Sequence, residues 1–427
     1  MIDPFSAGFY PAARLGKRNF NAECLSIYPL SLYTLINLVQ ERTAVMKVNV
    51  NQESLAHGLN IVSRAVSPRS TLPVLANVLV ATDEGRLRLS ATNLELGITC
   101  WIGAKIEDEG STTVPARTFT DLVSTLAPDL PVNMELNVRM MSLLLQSGAS
   151  TTEIKCIDSQ EFPPVPVFEP DDGLEINVAD LKEMIQQVVF AASIDEARPI
   201  LTGVLINIEE DTITMAAADG FRLSVRSAPL SSPVSDSVKI VVPARALSEL
   251  ARIATDKDQT VRMYVPAGRG QVLFRLEHAE LVSQLIEGTF PDYEQIIPKS
   301  SDNRAVISTS EFLKACKQAE IFAREGSHIA RLEIKSGDAQ SPGSINIRGQ
   351  SEETGSNENN VDANIEGNPL TIAFNVRFLR EALDVIHTPH VVLETSTETS
   401  PGVIRPSGGD DGQGVFTHVI MPMHLGS

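Results

Sequence analysis

Cysteine is scarce and scattered: Cys24, Cys100, Cys156 and Cys316 are the only four in 427 residues. No two stand at C-x-x-C spacing and no histidine joins them at ligand spacing. That argues against a zinc site or a disulfide framework and fits a reducing cytoplasm. Apolar runs of membrane length are missing from Met46 onward, so no membrane partner is expected. Basic residues are also few, with 35 Lys and Arg against 54 Asp and Glu and a formal charge of −19. An outer surface of that sign attracts DNA, RNA or acidic lipid poorly, so any polyanion contact has to be local.

Motifs for catalysis or cofactors are absent in the same way. Gly268-Arg269-Gly270 lacks the Lys-Ser/Thr of a phosphate-binding loop and reads as a hairpin cap. His387-Thr388-Pro389-His390 has no third ligand nearby, and Pro389 breaks any helix that would align the pair. Asp219-Gly220 reads as a turn, and no nucleophile, histidine and carboxylate set is suggested. A non-catalytic protein without metal or cofactor is expected.

The length predicts two to four domains, and 43% hydrophobic residues are enough to give each a core. Residues 1–45 differ from the rest. Their apolar stretch from Leu25 to Val39 is interrupted by Ser26, Pro29, Ser31 and Asn37. They read as a disordered extension, or as sequence translated ahead of a start at Met46, rather than as a signal peptide.

Internal repetition is the informative feature. Val114-Pro115-Ala116-Arg117 recurs as Val242-Pro243-Ala244-Arg245, 128 residues on, and loosely as Phe374-Asn375-Val376-Arg377. Each copy leads into a helical pattern, such as Phe119, Leu122, Val123 and Leu126. Alternating stretches such as Leu87-Arg88-Leu89-Ser90 and Ile213-Thr214-Met215-Ala216 also correspond and read as strands. Each unit is itself double, because a strand leading into a helix recurs at Val50 and Val114, and again at Val178 and Val242, 64 residues apart. The expected fold is α+β, with three repeated domains (46–170, 171–298 and 299–427). Each domain comprises two half-repeats of a strand, one amphipathic helix and several short strands.

One helix per half-repeat covers one face of a sheet, so the six helices would line the inside of an arc with the sheets outside. Segments 52–66, 117–127, 179–193, 244–255, 310–324 and 376–387 hold ten basic residues and nine acids. The helices therefore carry +1 and the remainder −20, which makes the helix layer relatively electropositive. Charge alone also fits ordinary solvated helix faces.

Five motifs then carry a resemblance. They are Thr71-Leu72-Pro73-Val74-Leu75, the Val-Pro-Ala-Arg copies, Ala218-Asp219-Gly220-Phe221-Arg222-Leu223, Phe290-Pro291-Asp292-Tyr293, and Met421-Pro422-Met423-His424-Leu425. From Met46 to Leu425 the chain resembles the bacterial sliding clamps, the β subunits of DNA polymerase III. The resemblance implies repeated DNA-clamp domains in a head-to-tail homodimeric ring that encircles duplex DNA without reading its sequence. It further implies tethering of the polymerase III α subunit, the clamp-loader complex, and other polymerases and repair proteins that carry a clamp-binding motif.

Helix width supports a dimer for that role. Six helices about 10 Å wide leave an opening of roughly 10 Å, whereas twelve leave about 28 Å, enough for a duplex. The resemblance places a peptide groove at Leu201, Gly220, Phe221, Arg222, Leu223, Pro291, Ile296, Val419, Met421, Pro422, Met423 and Leu425, with Arg222 as its polar rim. The chain departs from the family pattern at Ala218 for a usual Thr, at Phe221 for a frequent His or Tyr, and at His424 for a usual Arg. By resemblance Arg69 and Arg198 sit on inner loops that contact DNA. Arg64, Lys182, Arg252, Lys314, Lys317 and Arg324 are further phosphate candidates from the helices. The ring interface is placed at Ile321 and Phe322 against the strand around Ile154. The competing reading is a protein-binding scaffold of the same fold that never loads on DNA.

Overall fold

Asn51 both ends a strand and starts a helix. Its side-chain oxygen accepts the Ser54 N–H at 3.2 Å, while Val48 and Val50 before it point into the core. Asn177 and Asn375 cap two other helices in the same way. In the Val-Pro-Ala-Arg copies a proline takes this place, with φ of −52° at Pro115 and −50° at Pro243. Its missing N–H is tolerated because each of these prolines closes a strand that pairs chiefly along one side.

The structure is a computed structural model that describes residues 46–67, 70–166, 173–234, 236–255, 259–325, 327–337, 342–408 and 415–424. In the first repeat β1 (Lys47–Asn51), α1 (Gln52–Val62), β2 (Asn77–Asp83), β3 (Arg86–Thr92) and β4 (Leu96–Asp108) form one half. The other half is β5 (Ser111–Pro115), α2 (Ala116–Thr125), β6 (Pro131–Asn137), β7 (Ser142–Ser147) and β8 (Ser150–Lys155). The second repeat copies this order. It runs β9 (Leu174–Asn177), α3 (Val178–Val188), β10 (Gly203–Glu209), β11 (Thr212–Ala218) and β12 (Arg222–Pro229), then β13 (Val238–Pro243), α4 (Ala244–Ile253), β14 (Thr260–Tyr264), β15 (Gln271–Arg275) and β16 (Ala279–Gln284). The third runs β17 (Asn303–Ser308), α5 (Thr309–Ala323), β18 (Ile329–Lys335), β19 (Gly343–Ser351) and β20 (Gly355–Glu366). It ends with β21 (Leu370–Asn375), α6 (Val376–Asp384), β22 (His390–Thr395), β23 (Gly402–Pro406) and β24 (Phe416–Ile420).

The six half-repeats expected from the sequence are thus all present. Two helix segments end earlier than periodicity suggests: α1 and α3 tighten into 3₁₀ turns at Ser63–Ala65 and Val189–Ala191. The Thr71–Leu75 motif and its counterpart at Arg198–Leu201 both prove to be proline-led 3₁₀ turns that feed a strand.

Among the described residues all strand pairs are antiparallel, and they form two sheets of twelve strands. Repeats are joined by the strands themselves: β4 pairs with β16, and β12 with β24. The first two repeats share a single apolar core, while the third has its own, with Phe190 touching both. Within the third repeat α5 lies so close to β19 that a Cβ on Gly349 would stand 2.2 Å from the Ala319 carbonyl oxygen.

Candidate functional site

The β12·β24 joint has two unlike faces, because side chains alternate along each strand. Away from the helices, Leu223, Val225 and Val419 pack with Ala216, Ala218, Val241 and Phe290 into a small core separate from the two main ones. Ile200, Tyr293 and Ile297 half-cover it. Leu223 and Val419 are 1% exposed and Leu201 is 9% exposed, so these are floor residues. Phe221, Ile296 and Met421 reach solvent at 56%, 38% and 38%, which is unusual for side chains of this size. The Met421 N–H donates to the Phe221 carbonyl at 2.8 Å, so the two exposed walls are tied together. The Met423 N–H donates to Ala373, Pro291 is exposed, and Pro422 is half-buried.

The opposite face of the joint is polar and buried. Arg222 points inward rather than forming the rim expected of it, and its side chain is only 7% exposed. Its Nε donates to Asp219 Oδ2 at 3.0 Å, Nη1 to Glu381 Oε2 at 2.5 Å, and Nη2 to the Phe190 carbonyl at 2.6 Å. The guanidinium also lies over the Phe378 and Phe190 rings, 4.2 and 5.3 Å from their centroids. Arg222 therefore pins the second repeat to the third, and a buried charge so fully partnered is costly to disturb. Asp219 uses its other oxygen to accept the Phe221 and Arg222 N–H groups, which fixes the turn at Gly220. Beside it Ser224 and His418 share a buried hydrogen bond. Burial, with the Arg222 charge nearby, pushes His418 down to about 3. Burial alone would raise the Glu381 carboxyl, but hydrogen bonds from Arg222 and Arg377 outweigh it and hold the group below its ordinary value.

Arg198, expected on a DNA-contacting loop, is half exposed beside the turn at Gly220. It pairs with Asp195 at 3.0 Å, and a Cβ on Gly220 would sit 3.2 Å from its Nη1. Arg198 is thus at the mouth of the apolar surface.

The helix-layer basic residues are mostly engaged with neighbours. Arg64 and Arg252 converge on Glu249 at 3.2 and 2.7 Å, and Lys182 donates to the Ala254 carbonyl. Lys317 pairs with Asp384 at 2.9 Å while remaining half exposed. Lys314 and Arg324 are exposed and form no ion pair among the described residues. Two residues not singled out from the sequence complete the network: Arg377 donates to Glu381 at 2.8 Å, and Arg380 links Glu320, Asp384 and Glu381. Their i,i+4 spacing to acids on α6 was the available clue.

At the close of α5, Ile321 is 62% exposed and Phe322 half-buried. Ile154 is 6% exposed and faces its own core, so β8 offers a strand edge rather than this side chain. The assignments made for Arg69, Leu425 and residues 1–45 fall outside the described residues. Among the described residues no His, Cys, Asp and Glu group could hold a metal ion, and no helix is long and apolar enough to cross a membrane.

Three twofold units joined edge to edge, with exposed apolar side chains at one joint, define a clamp-fold protein. Family models for the N-terminal, central and C-terminal domains of the DNA polymerase III beta subunit match residues 46–166, 175–292 and 294–424. The beta sliding clamp of Synechococcus elongatus is 33% identical over 387 residues, which cover 90% of this chain and all of that one. That of Staphylococcus aureus is 30% identical over 388 residues, 89% of this chain and 99% of its own. Among solved structures, the Bacillus subtilis sliding clamp aligns with a TM-score of 0.82 at 28% identity, covering 89% of this chain and all of that one. The Pseudomonas aeruginosa clamp bound to griselimycin aligns at 0.80 and 28% with the same coverage. The chain belongs to the DNA polymerase III beta subunit family, the bacterial sliding clamps, and is a non-catalytic accessory of replication.

Proposed function

We propose that two copies of the chain close head to tail into a ring around duplex DNA, slide on it, and tether the replicative polymerase. One observation carries this reading. Each internal joint pairs the last strand of one repeat's first half with the last strand of the next repeat's second half, β4 with β16 and β12 with β24. Applying the same rule once more leaves β20 of the third repeat and β8 of the first as the unused pair. Among the described residues β8 pairs only with β7, and the Gly355–Val361 stretch of β20 pairs only with β19. They cannot meet within one chain that already runs from first repeat to third, so a second copy supplies the partner edge, and the contact is heterologous and closed. Ile321 and Phe322 border that joint. The domains are taken as 46–170, 171–298 and 299–427, and the setting as the cytoplasm.

The apolar surface around Phe221, Ile296 and Met421 would hold short motifs of the form Q-x-x-[LM]-x-F. These would come from the polymerase III α subunit, the clamp loader, and other polymerases and repair proteins. Methionine walls suit varied ligands. Lys314, Lys317, Arg324 and Arg377 supply phosphate contacts that carry no sequence information, as sliding requires.

The test is topological. Loaded by the host's clamp loader onto a nicked circular plasmid, the protein should remain through gel filtration at high salt and leave once the plasmid is cut. Retention after cutting would point to ordinary binding instead. Failure to load at all favours the scaffold reading, which draws its support from the pairing of Arg64, Arg252 and Lys317 with helix acids.

A further inference from the structure

The strands β12 and β24 form a wall one residue thick. Leu223 and Val419 on one side floor the peptide surface, while Arg222 on the other reaches helix α6. The exposed wall and the helix layer are therefore connected by few bonds. Phe221 is held by Asp219, Asp219 by Arg222, and Arg222 by Glu381. Glu381 is shared. Its Oε2 serves Arg222, and its Oε1 serves Arg377 at 2.8 Å and Arg380 at 3.4 Å. Arg377 is 53% exposed, whereas Glu381 and Arg222 are 17% and 7% exposed. A phosphate can reach Arg377 without reaching the other two.

We propose that Arg222 is a positioning residue for the peptide surface and that Glu381 couples its hold to DNA phosphates bound at Arg377. The inference rests on the ring reading above. When Arg377 turns to a phosphate, the Glu381 charge is divided among fewer cations and draws more strongly on Arg222. In a poorly hydrated site that gain is not lost to solvent screening. A tighter Arg222 fixes Asp219, and with it Phe221 and the Met421 N–H it receives. Duplex DNA in the lumen thus raises affinity for the peptide, and by linkage the peptide raises affinity for DNA by the same factor.

The experiment uses the full chain, a dye-labelled hexapeptide of the form Q-x-x-L-x-F, and a linear duplex at low salt. Peptide affinity is measured by fluorescence polarisation with and without saturating duplex, and duplex binding is followed separately with its own label. The expected result is a gain of about fivefold with DNA, the low end of site-to-site coupling. Arg377→Gln should abolish the gain by raising the DNA-free peptide affinity toward the DNA-bound value, because Glu381 then has one cation fewer to share with Arg222. Arg222→Lys should weaken DNA-free peptide binding, since one ammonium cannot serve Asp219, Glu381 and the Phe190 carbonyl together. Glu381→Gln should lose both effects. Duplex bound with unchanged peptide affinity overturns the coupling and leaves the ring reading standing. No duplex binding at all overturns the coupling alone, since a closed ring leaves linear DNA and the ring reading is judged by the plasmid test. An Arg222→Lys protein that melts like wild type and binds peptide equally well overturns the positioning role.

Discussion

Ser224 Oγ and His418 Nδ1 lie 2.6 Å apart across the β12·β24 joint, where neither side chain meets solvent. His418 also stacks on Phe416 and meets the tilted Phe190 ring, so the joint is built around a neutral imidazole. Its folded value near 3 lies below the ordinary 6.5, so the unfolded chain binds the extra proton first as pH falls. The stabilisation is complete above pH 6.5 and declines toward pH 3, at about 1.4 kcal/mol per pH unit. Between pH 6.5 and 5, where carboxylates barely titrate, urea unfolding should lose about 2 kcal/mol. His418→Gln should flatten that slope. An unchanged slope in the variant would assign the loss to other groups.

Gly349 has no room for a methyl group against the Ala319 carbonyl. Gly349→Ala must push α5 off β19 and should cost the third repeat about 1–3 kcal/mol. A lower urea midpoint for that repeat, with the shared core of the first two unaffected, is the expected pattern.

Phe221 and Met421 are exposed, so truncating them removes apolar surface from the proposed peptide site with little loss of packing. The double variant Phe221→Ala, Met421→Ala should weaken peptide binding by roughly tenfold or more, equivalent to about 1.4 kcal/mol. Its melting temperature should stay within a few degrees of wild type. Calorimetric titration and thermal melting together check both halves.

Charge reversal separates Arg198 from the helix cations. Arg198→Glu, at the mouth of the apolar surface, should alter peptide affinity and leave DNA retention nearly unchanged. Lys314→Glu with Arg324→Glu should do the opposite and shallow the salt dependence of DNA binding by up to about two counterions. If Arg198→Glu alone released DNA, its lumen assignment would stand.

Ile321 gains little from the monomer fold at 62% exposure. Ile321→Asp should shift the solution mass, read by light scattering, from two chains toward one at micromolar concentration. The melting of the separated chain should hardly move.

The repeats were legible because their marks are local. A strand ending in Asn or Pro and passing directly into an amphipathic helix needs no distant partner to be read. Leu223 and Met421 were also reachable, since the quoted runs Ala218–Leu223 and Met421–Leu425 carry them. Arg222 was not, because its decisive partner Glu381 lies 159 residues away and nothing in the local run Ala218–Leu223 turns the side chain inward. The interface expectation named the strand around Ile154, and alternation along β8 sends that particular side chain to the core. Charge counting placed cations on the helices without revealing that Glu249 and Asp384 already hold several of them.

A joint that recurs unchanged also fixes an arithmetic of assembly. If six such joints complete one circle, each turns the chain by one sixth of it, whoever supplies the next repeat. Three repeats per chain then close with two copies, and a chain of two repeats would need three. Lengthening or shortening the gene by whole repeats would change the number of subunits while preserving the bore, because the hole is sized by the joint and not by the chain.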